Sequence, residues 1–323
     1  MEQTPPSEKR QRPLPDHRPN PSADDPAAPA RIEAVIASPS YRRSDRDPDF
    51  LQRADMRGVR LMLDYLKPQT LLTEHDVAHT IVVFGGTRIP EPAVAHRAIE
   101  ELAAAAAASP QDADLQRRLE IARQVAINSR YYEVARQFGR LVGACGDKAI
   151  GGRIMIMTGG GPGIMEAANR GACDVGAQSI GLNIDLPHEQ YPNPYVSPDL
   201  CFSFRYFAMR KLHFLLRARA LVAFPGGYGT IDELFEVLTL SQTRKVSPVP
   251  VILVGEAYWR RVFDADFLVA QGTIEPEDRD LFWYAETAAD IWRDILLWYE
   301  LKGEPLLPPD AADEFCRPGN RRR

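Results

Sequence analysis

The sequence predicts an α/β fold, a doubly wound parallel sheet with helices on both faces. Two observations carry this. Short apolar runs such as "TIVVF", "RIMIM", "ALVAF" and "VPVILV" are nearly continuous rather than alternating, as strands buried on both faces require. Segments of helical character lie between them, which is the order of a parallel sheet with helical crossovers. A third observation locates a site. Three of these runs end in glycine turns, at Gly85-Gly86, Gly159–Gly163 and Gly226–Gly229. In open α/β sheets ligands bind beyond the carboxyl ends of the strands.

Taken in order, residues 1–47 are rich in Pro, Arg, Asp and Ser and are expected to be a disordered or extended tail. One domain is expected over 48–302. "FLQRADMRGVRLMLDYLKP" reads as an amphipathic helix ended by Pro68, and Thr80–Gly86 as a strand entering a glycine turn. "EPAVAHRAIEELAAAAAA" and the stretch from Asp112 to Gly146 read as helices, forming a helical insertion around 93–145. "RIMIMTGGGPGIMEAANRGACDVG" is strand, turn and helix, with Gly176 as its stop. "SIGLNIDLP" is a strand, "RYFAMRKLHFLLRAR" a helix anchored by Met209, Leu212 and Phe214, and "ALVAFPGG" a strand. "VPVILVG", a helix around "EAYWRRVFDADFLVAQG", the short apolar "LFWYAE" and a helix in "AADIWRDILLWYEL" follow, with 303–323 as a C-terminal tail.

The 323 residues are 45% hydrophobic and 26% charged, with a net charge of −5. That mild acidity predicts no nucleic-acid or anionic-membrane partner. Four scattered cysteines, Cys145, Cys173, Cys201 and Cys316, give no zinc or disulfide spacing and fit a reducing compartment. With no apolar stretch near ~20 residues and no apolar core in the N-terminal segment, the expectation is cytoplasmic and without membrane contact.

Glycines between a strand and a helix let backbone N–H groups approach an anion, and the helix dipole favours its charge. "MTGGGPGIME" is such a turn and predicts phosphate or sugar-phosphate binding. The Walker pattern is absent, and G-x-G-x-x-G fails because Ile164 or Glu166 stands at its third glycine. Asp185 alone leaves a nicotinamide enzyme as a weak alternative. Arg210 and Lys211 precede the strand leading to Gly226. Lys211 suggests a pyridoxal phosphate Schiff base, but nothing else such a cofactor needs is recognisable. In "FPGGYGTIDELFE", Thr230-Ile231-Asp232-Glu233 has the form of a capping box, with Glu233 reaching back to the Thr230 N–H.

"TGGGPGIMEAANRGA", "MRK" and "PGGYGTIDE" together resemble the LOG ("lonely guy") family from about Thr80 to Leu297. The resemblance implies a Rossmann-like fold and a homodimer with its site near the interface. It also implies a phosphoribohydrolase that releases free base and ribose 5-phosphate from a nucleoside 5′-monophosphate, AMP or a cytokinin-type adenine nucleotide, with no cofactor and no metal. The family is often labelled "lysine decarboxylase", a name we read as an inherited error. By motif, Arg210 and Glu233 match the catalytic pair. Gly160, Gly161, Lys211, Gly226, Gly227, Tyr228, Gly229, Thr230 and Asp232 match the substrate-binding set, and Thr87 and Arg88 are weaker matches. Asp232 stands where many short members carry Glu, and "FAMRKLHF" replaces their "MHERKAEM". In the expected mechanism Glu233, ionised at a helix N-terminus, activates water and stabilises an oxocarbenium-like transition state. Arg210 orients it and holds phosphate or sugar. The alternative is a nucleotide-sensing module with the same fold and no turnover.

Overall fold

The computed structural model describes residues 25–185, 191–309 and 311. The chain divides into two compact units, Met1–Arg60 and Leu61–Arg323. The stretch 1–24 and the terminal "CRPGNRRR" lie outside the described residues. Residues 25–47, expected to be tail, include helix α1 (Ala28–Ala37), which buries no residue. Its alanines and lack of glycine satisfy helix propensity without a core. Helix α2 (Pro48–Gln52) starts where the Asp47 carboxylate accepts the Phe50 N–H at 3.2 Å.

Helix α3 (Arg57–Glu74) continues through Pro68 rather than ending there. Proline removes one donor and loosens the turn before it. The Tyr65 carbonyl in that turn accepts a hydrogen bond from His213 Nε2 at 3.0 Å.

The second unit is built on seven parallel strands: β1 (Val77–Phe84), β2 (Arg153–Thr158), β3 (Ile180–Ile184), β4 (Cys201–Phe204), β5 (Ala218–Ala223), β6 (Val251–Val254) and β7 (Trp283–Ala285). Their order is β4-β3-β2-β1-β5-β6-β7. The α/β doubly wound expectation holds. Strand β4 was not foreseen: four residues with a serine among them give little signal, and it forms by pairing Gly181 through Ile184 with Cys201 through Phe204.

Alternate side chains of each strand enter two cores. On one face Ile81, Val83, Ile156, Val222 and Ile252 pack with α6 (Arg130–Cys145), α7 (Ile164–Asp174) and α12 (Ala288–Leu301). Helix α6 supplies Tyr131, Ala135, Phe138, Val142 and Cys145, the spacing of one buried helical stripe. On the other face Val82, Phe84, Met157, Leu221 and Leu253 meet α8 (Phe207–Leu216), α9 (Tyr228–Gln242) and α10 (Glu256–Val262) through Phe214, Leu234 and Trp259. Leu212 does not anchor α8 as expected; it is exposed, on the face turned from the sheet.

The stretch expected as an insertion forms three helices, with α4 (Pro92–Ala108) and α5 (Ala113–Asn128) packing on each other ahead of the core helix α6. The chain breaks at Ser129, whose hydroxyl donates to the Ala126 carbonyl at 2.7 Å and competes with helix continuation. Helix α11 (Ala265–Ala270) is separate from α10, capped by the Asp264 carboxylate. The segment after Gly303 is not wholly a loose tail. Leu306 and Leu307 are buried, and the Leu306 carbonyl accepts the Ile150 N–H at 2.8 Å.

Candidate active site

Strand order reverses between β1 and β5, so a crevice opens at their carboxyl ends. Backbone bonds tie the three glycine turns together there. The Phe224 N–H donates to the Phe84 carbonyl at 2.8 Å, and the Gly86 N–H donates to the Pro225 carbonyl at 2.9 Å. The Gly86 carbonyl in turn accepts the Ile164 N–H at the start of α7. A Cβ at Gly226 would overlap Thr230 Oγ1 and stand 2.9 Å from the Gly86 nitrogen, so the turns meet only because residue 226 is glycine.

These turns border a cavity of about 300 Å³. Its lining combines the apolar Phe84, Met165, Ile184 and Phe207 with Gly227, Gly229, Thr230, Asp232 and Glu233 of the α9 start, Arg210, and Gly85, Gly86 and Thr87. The apolar wall escaped the sequence reading because nothing distinguishes its members from core residues.

The expected capping box is not formed. Helix α9 begins at Tyr228, with Gly227 as N-cap and no side-chain cap. The N–H groups of Thr230 and Ile231 both donate to the Gly227 carbonyl, at 3.0 and 3.1 Å. The Thr230 N–H is therefore taken, and the threonine hydroxyl packs on Gly226 instead. Glu233 consequently lies in the second turn of the helix rather than at its N-terminus. The N–H groups of Tyr228 and Gly229 have no intrahelical partner and sit at the positive end of the helix dipole.

Gly227 and Gly229 differ from Gly226. A Cβ at either would meet nothing within 4 Å, and neither has positive φ. Packing does not require glycine at these two cavity-lining positions.

Arg210 projects from α8 into the crevice. Its Nε donates to the Leu182 carbonyl at 2.7 Å, and its guanidinium lies 5.2 Å from the Phe214 ring centroid. Gly159 makes room for it: a Cβ there would be 2.5 Å from Arg210 Nη2. Burial lowers the Arg210 pKa, with the Glu233 charge opposing.

Glu233 is 7% exposed. Burial raises its carboxyl pKa above the ordinary glutamate value, offset only in part by Lys211 and Arg210. No hydrogen bond or ion pair joins Arg210 to Glu233 among the described residues; the expected orienting contact is replaced by Lys211, whose Nζ is 3.3 Å from Glu233 Oε2. Lys211 also contacts Asp232 Oδ2 and Glu236 Oε2, both at 2.8 Å. Burial alone would depress the Lys211 ammonium, but the bonds to Asp232 and Glu236 hold it above the usual lysine range. An amine so held is unsuited to a Schiff base.

Gly160 and Gly161 are buried and do not line the cavity. Their carbonyls accept Asn193 N–H at 2.8 Å and Asn193 Nδ2 at 3.0 Å. Asn193 Nδ2 also donates to Asn169 Oδ1 at 3.0 Å, as does Thr158 Oγ1 at 2.7 Å, while Thr158 Oγ1 accepts the Gly160 N–H. This polar network sets the shape of the loop, and no sequence pattern announced it. Tyr228 is 91% exposed and Arg88 is exposed; neither lines the cavity. Among the described residues no group of three or more His, Cys, Asp or Glu is placed to hold a metal, and no helix is long and apolar enough to cross a membrane.

Residues 165–295 match the family described as "Possible lysine decarboxylase". The chain is 29% identical over 140 residues to a probable cytokinin riboside 5′-monophosphate phosphoribohydrolase of Oryza sativa subsp. japonica, covering 42% of this chain and 56% of that protein. It is 29% identical over 155 residues to a cytokinin riboside 5′-monophosphate phosphoribohydrolase of Arabidopsis thaliana, covering 46% and 70%. The match thus spans little more than half the length of the rice relative. A solved molybdenum cofactor binding protein from the phototrophic bacterium Rippkaea orientalis is 19% identical over 51% of this chain and 85% of its own, with a TM-score of 0.37. The resemblance to the LOG family read from the three motifs is borne out by the curated relatives.

Proposed function

We propose that the chain hydrolyses the N-glycosidic bond of a purine nucleoside 5′-monophosphate, AMP or a cytokinin-type adenine nucleotide, to free base and ribose 5-phosphate. The observation that carries this reading is the buried carboxylate of Glu233 opening on the cavity beside Arg210. The named activities of the rice and Arabidopsis relatives support it.

The 5′-phosphate docks at the start of α9, on the N–H groups of Tyr228 and Gly229, where Gly227 and Gly229 leave room for its oxygens. The base lies against Phe84, Met165, Ile184 and Phe207. As the C1′–N bond breaks, positive charge develops on the sugar, and the Glu233 carboxylate stabilises it and takes a proton from the attacking water. A carboxyl raised by burial is a stronger base than a free glutamate. Arg210, fixed by the Leu182 carbonyl, presents a permanent cation to phosphate or sugar.

Chromatography of AMP and isopentenyl-AMP reactions tests the reading. Glu233→Gln is expected to lower base release about 10²–10⁴-fold while calorimetry shows nucleotide binding retained. Near-normal turnover by the variant overturns the role of Glu233. Binding by the wild type without base release across a nucleotide panel would leave a sensing module instead. The resemblance also implies a homodimer, which light scattering on the purified chain checks.

A further inference from the structure

Lys211 falls in the substrate-binding set by motif, yet the structure leaves it no room for that task. It is absent from the cavity lining, and its side chain is only 17% exposed. Its ammonium has three donors, and three carboxylates of the neighbouring helix surround it: Asp232 and Glu236 at 2.8 Å and Glu233 at 3.3 Å. The two shorter contacts come from residues outside the proposed chemistry. They hold Nζ in place whether or not Glu233 carries a proton.

We infer that Lys211 is a positioning residue for Glu233 and not a phosphate ligand: it pins the carboxylate toward the cavity and keeps a fixed cation beside it through proton transfer. This rests on the hydrolase reading above. The groups facing Glu233 are few. From α8 come Lys211 and Arg210; from its own helix come Asp232 and Glu236. The cavity-lining residues from β1, β3 and α7 are Phe84, Ile184 and Met165, none charged. Lys211 is the only cation within 4 Å of the Glu233 carboxylate among the described residues. Its removal therefore leaves Arg210 alone to oppose burial, and the Glu233 pKa must rise.

The test pairs kinetics with a readout independent of turnover. Glutamate ¹³C-labelled at the side-chain carboxyl is titrated by NMR, with the Glu233 resonance assigned by its loss in Glu233→Gln. In Lys211→Met the Glu233 midpoint is expected to rise by about one unit or more, the shift an opposite charge at this range produces. The acidic limb of the kcat profile should move up by the same amount, with kcat lower and KM for AMP within about threefold, the expectation when an interaction is not part of ground-state binding. Lys211→Arg should restore the midpoint toward wild type. Lys211→Gln replaces the methionine variant if that one does not fold. An unmoved midpoint, or a KM about tenfold higher with kcat unchanged as loss of a uniform binding contact gives, overturns the inference. Failure of the wild type to release base overturns the hydrolase reading alone, and the NMR midpoint still decides the part played by Lys211.

Discussion

Gly229→Ala separates what the fold needs from what a ligand needs. Gly229 is the second residue of α9, without positive φ, and an added Cβ would meet no atom within 4 Å. Alanine is favoured over glycine in a helix by up to ~1 kcal/mol, and the change also restricts the unfolded chain. Taking about 0.5 kcal/mol for a helix end, a domain of this size should melt roughly 1–2 °C higher. The same methyl group would occupy space beside the N–H groups proposed to receive phosphate. A loss of about tenfold in kcat/KM for AMP, or 1.4 kcal/mol, is the expected cost. Gly226→Ala is the control, because its Cβ overlaps Thr230 Oγ1 and crowds Gly86; overpacking of this kind destabilises by about 1–3 kcal/mol. Thermal melts and initial rates on the two variants give the comparison. A Gly229→Ala protein with kcat/KM within about twofold of wild type, less than 0.5 kcal/mol, would refute the argument that a ligand closes on this turn.

Asn193→Ala removes the side-chain donor from the buried Gly161 carbonyl, while Asn169 Oδ1 keeps its hydrogen bond from Thr158. Urea unfolding should show a loss of about 1–3 kcal/mol for the one orphaned carbonyl. Burial raises the folded-state pKa of Glu233, so its contribution to stability is fully present below the unfolded value of about 4.3 and is lost as pH rises through the folded pKa. Glu233→Gln should therefore melt above wild type near neutral pH, with the gap closing toward about pH 4. In the wild type, base release should fall away on the acid side at a pH above the ordinary glutamate range.

The sheet was legible because β1, β2, β5 and β6 are runs of apolar residues long enough to carry their own signal. Strand β4 was not, since its four residues take their conformation from pairing with β3. Pro68 misled because a proline inside a helix removes one donor without having to end it, and α3 runs on to Glu74. In the site, the glycine turns and Arg210 could be placed by pattern. The capping box failed by three residues, because the Gly227 carbonyl takes the Thr230 N–H that the Glu233 carboxylate was expected to accept. The contacts of Lys211 lay beyond any local pattern, as they join residues of two helices separated by a strand.

The first glycine turn also bears on how such a site is inherited. An alanine at position 159 would press on the tip of the Arg210 side chain and on Met165 Sδ, not on backbone. Side-chain tips can swing away, so the chain would tolerate that alanine as a folded protein while displacing its key cation. Selection for folding alone therefore leaves position 159 open to drift, and only retention of Arg210 in its place closes it. The two positions are therefore coupled through space: an arginine held at 210 demands the glycine at 159, and a chain without that arginine would not.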